Sequence, residues 1–509
     1  MAASPAASSS PLSRSRAPHR AHRRALWHVI AWTMLIGLSA TLRLWGLGLF
    51  PHYIYDEYYY IPAALSLLGH PLPQTLALAP PGYDPNLFSA PPFAKEVFAF
   101  SLSLFGANPW AGRLPSAILG TMVPLFTYGL ARDLFPTSRR IPWIAAWLMA
   151  FDGLAVSLSR LAILDSVALP LVVLNGWGLW RIHQMIQGQR PWSRRLVILW
   201  GLSLGLGLAA KWNGAQMILL SWIVLLWDES VWRRWPWRQQ LTLGLAPTFI
   251  ALGAYIATYL YAWPQGFPQA TLPHGFLTGW AVLQWRMLQG MWVLHFTHPW
   301  STSTLSMMLW ARPTALLNQA GPHHTLIRLW AFSNPFLIWG GFGALLFQGV
   351  QGIRRLWRMR RVPPLSPYLF LGWWVLCFYG TWFLTARTKF DYYFAYTMPA
   401  LMIALVATLV HNWSRWPVSW RTFAGTYCAV SVVFSAYLLP LWTAYPMPQG
   451  FYHNHLWLTS WNPRPKAVAS VVSSTIHPTA PRSSATKTPH HSVPPDHVSA
   501  APRAFHFSP

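Results

Sequence analysis

The chain reads as an all-α polytopic membrane protein, and three features predict this. Hydrophobic residues make up 54% of the 509 and charged residues 9%, against about 25% charged in an ordinary soluble domain. Apolar runs recur at lengths close to the roughly 20 residues a helix needs to cross a bilayer. Those runs far exceed the roughly 10-residue alternating strands of a membrane barrel. Lipid accepts only helices or closed barrels as spanning structures, so a helical bundle follows.

The bundle has about eleven expected spans. They lie near 26–49, 111–131, 141–159, 161–180, 196–210, 213–227, 240–262, 330–352, 367–385, 390–410 and 420–442. The first follows Arg14, Arg16, Arg20, Arg23 and Arg24, as a signal peptide would. It is too long for one and ends in GLGLFPHY instead of a small-residue cleavage site, so it reads as a retained helix. Alternate connections then carry RDLFPTSRR, RIHQMIQGQRPWSRR, RRWPWR, RRLWRMRR and RWPVSWR. Basic loops mark the cytoplasmic side, which places the N-terminus inside and the C-terminus outside. The same pattern absorbs most of the +26 net charge, and nucleic-acid binding is set aside. Cys377 and Cys428 lie inside apolar runs and form no metal or redox spacing.

Three regions follow: a basic segment 1–25, a membrane domain 26–445, and an external tail 446–509 rich in Ser, Thr, Pro and His, which has little to bury. Two outer loops belong to the membrane domain. The first, about 50–110, holds YDEYYYIPAALSLL and APPFAKEVFAFSLSLFG, both read as short amphipathic helices lying on the membrane. The second, about 263–329, holds WAVLQWRMLQGMWVLHF and HPWSTSTLSMMLWARP, read as a packed external subdomain.

Only eleven Asp and Glu occur in the chain. On this map Asp133, Asp228 and Glu229 are cytoplasmic and Asp496 is in the tail. The other seven, Asp56, Glu57, Asp84, Glu96, Asp152, Asp165 and Asp391, gather toward the outer face. Lys95, Arg113, Arg160, Lys211, Arg387 and Lys389 fall at the same level, against the positive-inside trend. Ionisable groups at membrane depth are expensive and usually functional. The alternatives are structural: ion pairs bracing helix ends, snorkelling for Lys211, and an interfacial anchor for Arg387 with Tyr392, Tyr393 and Tyr396 as an aromatic belt. His298 beside a proline reads as structural.

Carboxylates beside basic groups suit transfer from a phosphate-linked donor. A carboxylate takes the proton of an attacking hydroxyl, and Arg and Lys hold the leaving phosphate. At an outer bilayer edge a lipid-linked, polyprenyl-phosphate sugar fits. No His/Glu spacing of a zinc helix is present, and a carboxylate-bound divalent cation stays open as a cofactor.

Taken together, YDEYYYIPAA, APPFAKEVFAFSLSLFGANPWAGRLPSAILGT, FDGLAVSLSRLAILD, GLGLAAKWNGA, HPWSTSTLSMMLWARP, NPFLIWGG and RTKFDYYFAYTMPAL resemble, in this order, the dolichyl-phosphate-mannose–protein mannosyltransferases of glycosyltransferase family 39. The resemblance covers about residues 30–445. It implies a GT-C bundle whose active site faces outside, and inverting transfer of mannose from a polyprenyl phosphate to Ser or Thr hydroxyls. It places the family's Asp-Glu motif on Asp56, the implied base, and Glu57, which positions acceptor or motif. The resemblance further implies that Arg113 braces the acidic site and that Asp165 is a second acidic site residue, with Lys95, Lys211 and Arg387 as candidates for the lipid phosphate. The second outer loop is too short for the MIR domains of eukaryotic members, which points to a compact prokaryotic plasma-membrane form using undecaprenyl or another polyprenol. A glycolipid acceptor, such as lipid A, would use the same carrier and the same Asp. A transporter or flippase is disfavoured, because transporters place their charges near the midplane.

Overall fold

A computed structural model describes residues 17–69, 90–227, 236–265, 275–293, 298, 300–359 and 364–461. Asp84, Asp228, Glu229 and most of the expected tail lie outside the described residues.

Each expected span meets a helical stretch. The long helices are α1 (Ala17–Leu44), α4 (Pro109–Leu134), α5 (Arg140–Ala150), α7 (Leu164–Ile186), α8 (Arg194–Ala210), α9 (Gly214–Trp227), α10 (Trp237–Ala262), α13 (Pro335–Met359), α14 (Pro367–Phe378), α15 (Met398–Asn412) and α16 (Val418–Thr443). Among the described residues six helical segments are long and apolar enough to cross a membrane on their own. Several others are shorter, because α5 and α14 end early and short pieces continue them: α6 (Gly153–Leu158), and a 3₁₀ turn at Gly380–Phe383. A second 3₁₀ turn, Asp391–Thr397, leads into α15.

Local chemistry sets these ends. Asn108 accepts a bond from the Ala111 amide at 2.9 Å and Pro109 follows it. An N-cap acceptor followed by proline satisfies a free amide and presets the first helical φ. Ser366 and Pro367 start α14 in the same way. Asp152 caps α6 through the Ala155 amide at 2.9 Å, and Ser333 donates to its other oxygen. This acid is therefore committed to holding the α5–α6 break.

The short helices α2 (Glu57–Leu67) and α3 (Phe93–Phe105) fall where the first loop was expected to form them. Both pack together and against the bundle, α3 against α4. In the second loop, α11 (Phe276–Val293) and α12 (Thr304–Leu309) precede a feature the periodicity does not announce. Strands β1 (Thr314–Ala320) and β2 (Thr325–Ala331) form an antiparallel hairpin with Asn318 opposite Arg328, and β3 (Met447–Pro448) joins β2 before the final short helix α17 (Gln449–His453). The hairpin turns at GPHH, where His323 and His324 have φ of 53° and 58°. Trp330, Phe332, Trp310, Trp442 and Trp461 meet edge-on or tilted and tie the sheet to α16.

Candidate functional site

Residues 47–57 are fixed by one buried pair. Glu57 opens α2 and Arg113 lies in the first turns of α4; both side chains are fully buried. Arg113 Nε and Nη2 donate to the two Glu57 oxygens at 2.8 and 2.7 Å. Its remaining hydrogens go to the carbonyls of Leu47, Phe50 and His52 at 3.0, 3.0 and 2.7 Å. Glu57 in turn accepts the amides of Ile54 and Ala162, each at 2.9 Å. Five guanidinium donors and four carboxylate bonds are thus all used, the condition under which a buried ion pair is tolerated. Nothing of Glu57 is left for a substrate.

The clamp supports strain. Tyr55 has φ of 53°, a region that a bulky L-residue enters at a cost of order 1–3 kcal/mol and that clusters at functional sites. With Ile54 and Glu57 bonded on either side, Tyr55 stays turned, and Asp56 is presented at the head of α2. Asp56 is half-buried. Burial pushes its carboxyl up from 3.8 to about 7, while Lys211 acts against the rise, Asp165 adds to it, and Tyr392 and Arg387 also lower it. The residue is a carboxylate close to half-ionised at neutral pH, facing two cations.

The second acid arrives from another helix. Asp165 sits in the first turn of α7, and Lys211 ends α8 in an extended conformation. The Lys211 ammonium lies 2.7 Å from both Asp165 oxygens. Tyr396 donates its hydroxyl to Asp165 Oδ1 at 2.8 Å. Lys211 also lies over the ring of Tyr393, 4.6 Å from its centroid, a cation–π placement. Tyr55 meets the Tyr392 ring edge-on at 5.9 Å. The Tyr55–Glu57 turn, the α7 start, the α8 end and the Asp391–Thr397 turn therefore converge on one place.

Of the residues singled out from sequence, Asp56, Glu57, Asp165, Arg113 and Lys211 meet here, and the charge of Arg387 acts on Asp56. Lys95 differs: it has no exposed surface, and its ammonium donates to the Ala90 carbonyl at 2.9 Å. Tyr392, Tyr393 and Tyr396, read from sequence as an interfacial belt, are buried against the acidic pair instead. Three tyrosines within five residues, just after Arg387 and Lys389, are the signal in the sequence that could have marked them. Among the described residues no group of three or more His, Cys, Asp or Glu comes together to hold a metal ion.

A sequence model of the dolichyl-phosphate-mannose-protein mannosyltransferase family matches residues 33–264. The polyprenol-phosphate-mannose–protein mannosyltransferase of Mycolicibacterium smegmatis is 24% identical, over 80% of this chain and 87% of that protein. Its Mycobacterium tuberculosis counterpart is 25% identical, over 80% and 86%. In fold, the chain matches the S. cerevisiae protein O-mannosyltransferase Pmt1-Pmt2 complex bound to the sugar donor. The TM-score there is 0.69 at 12% identity, covering 85% of this chain and 92% of that one. The apo ArnT structure from Cupriavidus metallidurans shares the fold more loosely, with a TM-score of 0.51 at 18% identity, covering 82% of this chain and 65% of that one. Family match, relatives and fold point the same way: the chain is similar in sequence to the dolichyl-phosphate-mannose–protein mannosyltransferases over residues 33–264 and shares their fold.

Proposed function

We propose that the chain transfers mannose from a polyprenyl phosphate to Ser or Thr hydroxyls of proteins, with Asp56 as general base. The observation that carries this reading is Asp56 itself: a carboxyl lifted to about 7, held on a strained and clamped turn, and facing Lys211 and Arg387. A base works best when its pKa lies near the working pH. The acceptor oxygen attacks C1 of the sugar while its proton passes to Asp56. The bond from C1 to the phosphate oxygen breaks, and the polyprenyl phosphate leaves with the electron pair. Attack opposite the leaving group inverts the anomeric carbon.

In this reading Lys211 and Arg387 meet the phosphate, and Asp165 with Tyr396 sets the Lys211 ammonium in place. Glu57 and Arg113 position the turn and touch no substrate. Lys95, in the first turn of α3, ties that helix to the Ala90 carbonyl just before it. The arginine-bearing connections on the opposite side support an N-terminus inside and a site facing outside a prokaryotic plasma membrane. A donor with a polyprenyl tail reaches such a site from the bilayer, and the acceptor polypeptide from water.

The test uses membranes holding wild type or Asp56→Asn, given radiolabelled polyprenyl-phosphate mannose and a Ser/Thr-rich peptide. Label on peptide that is lost in the variant is the expected result. Label confined to lipid would move the acceptor to a glycolipid. Equal labelling of peptide by both proteins would remove Asp56 from the base role.

A further inference from the structure

Lys211 is held by more than its carboxylate. Helix α8 stops at Ala210, and Lys211 leaves it in extended backbone. Its ammonium reaches Asp165 on α7 and lies 2.7 Å from both oxygens. An ammonium has three hydrogens and accepts none. Two serve Asp165, and no third acceptor meets Lys211 among the described residues. Its other neighbours are aromatic: the ring centroids of Tyr393 and Tyr392 lie 4.6 and 5.6 Å from Nζ.

The Asp391–Thr397 turn accounts for the placement. A 3₁₀ turn has three residues per turn, so side chains three apart eclipse. Tyr393 and Tyr396 are such a pair. Tyr396 gives its hydroxyl to Asp165 Oδ1 at 2.8 Å, and Tyr393 brings its face to the lysine bonded to that same acid. The Tyr393 hydroxyl makes no hydrogen bond among the described residues, so its ring is what it brings to the site. Trp382, in the Gly380–Phe383 turn, stacks on that ring at 4.8 Å and 17°. Trp382 is itself tied down, since its carbonyl accepts the Thr304 hydroxyl at 3.0 Å. Indole, phenol and ammonium thus form one buried stack, which sets the plane of the ring against Lys211.

A π face attracts a cation without adding charge, and does so most strongly where water is kept away. A second carboxylate in its place would turn the Lys211–Asp165 pair net negative and repel a phosphate. An aliphatic side chain would leave the ammonium to Asp165 alone. The ring steadies Lys211 and leaves its charge available.

We propose that Tyr393 is a positioning residue for the leaving phosphate: its ring, backed by Trp382, holds the Lys211 ammonium so that the third hydrogen stays open to a phosphate oxygen. The proposal rests on Lys211 meeting the donor phosphate, as above. It assigns the role to the face of the ring and gives the hydroxyl none.

The experiment measures binding of tritiated undecaprenyl phosphate to full-length protein immobilised in detergent micelles, with mannose transfer assayed in parallel. Tyr393→Phe keeps the face and should bind within about twofold of wild type. Tyr393→Leu removes it and should bind about tenfold more weakly. Tyr393→trifluorophenylalanine keeps the shape while fluorine withdraws the negative charge of the face. It should bind about threefold more weakly than Tyr393→Phe, and it decides the matter if leucine disturbs the fold. In a Lys211→Met background, Tyr393→Leu should add no further loss. Phenylalanine as weak as leucine, a fluorinated ring as tight as phenylalanine, or the full leucine loss with Lys211 already gone would each overturn the role of the ring. Binding in the expected order without mannose transfer by the wild type would refute the transferase reading and leave the hold of Tyr393 on Lys211 standing.

Discussion

Replacing Asp56 by Asn should abolish turnover and yet stabilise the protein at alkaline pH. The wild-type carboxyl is lifted from 3.8 to about 7, mainly by burial. A tenfold change in a proton equilibrium is about 1.4 kcal/mol, so the ionised form costs the native state up to about 4 kcal/mol. Asp56 keeps some solvent contact, and screening brings the expected figure to about 1–3 kcal/mol. The sign follows from proton counting. Between pH 3.8 and 7 the native state holds a proton that the unfolded chain has released, so stability falls as pH rises through that window. Above about pH 8 the full cost is present. Asparagine keeps the shape and removes the charge. Asp56→Asn should therefore be more stable than wild type at pH 8, by about 1–3 kcal/mol. At pH 5 less than half of the gain should survive. Thermal unfolding in detergent micelles at both pH values, run beside the transfer assay, checks this. A variant less stable than wild type at pH 8, or equally stabilised at both values, would refute the burial argument even if activity were lost.

Wild-type transfer should rise with pH and level off above about 7, with roughly a tenth of the plateau rate at pH 6, since only ionised Asp56 accepts the proton; a flat profile from pH 5.5 to 8 would count against the base. Glu57→Gln leaves the Arg113 guanidinium buried without its counter-charge and should cost about 3–5 kcal/mol, seen as a lowered unfolding temperature together with lost turnover. Tyr396→Phe removes one hydrogen bond to Asp165 and leaves the Lys211 pair intact. Steady-state assays should show a rate loss of no more than about 1.5–3 kcal/mol in barrier, with the unfolding temperature little changed. A Cβ on Gly153 would stand 2.1 Å from Trp442 Cε2 and 2.3 Å from the Phe332 carbonyl. Gly153→Ala should thus break the α6 packing by about 1–3 kcal/mol or more, read as loss of monodisperse protein on size exclusion.

How much of this was legible in the sequence depends on which physical signal each part leaves. Long apolar runs read directly, because the bilayer fixes their length. The breaks after Ala150 and Phe378 read less well, since Asp152 capping α6 depends on Ser333, 181 residues away. The hairpin at Thr314–Ala331 was missed because its strands are short and the alternation weak, and its pairing to Met447 is non-local. At the site, acid scarcity drew attention to Asp56, Glu57 and Asp165. The pairing of Asp165 with Lys211 and Tyr396 spans 46 and 231 residues, and no spacing rule reaches that far. Lys95 reads from sequence only as a cation at the outer level, and its burial with a bond to the Ala90 carbonyl carries no sequence signal.

The side-by-side acids resolve into a division of labour that environment alone imposes. Glu57 receives two guanidinium and two amide bonds and has no lone pair to spare. One residue earlier, the left-handed Tyr55 turns Asp56 away from that clamp into a half-buried position where Lys211, the Tyr392 hydroxyl and Arg387 offset burial only in part. Satisfying one carboxylate completely is what allows its neighbour to remain under-satisfied, because the strained turn would otherwise relax. A protein that uses acids so sparingly places two together here because the reactive one cannot hold its own position. Its high proton affinity and its rigidity are opposing demands on a single side chain, and adjacent residues meet them separately.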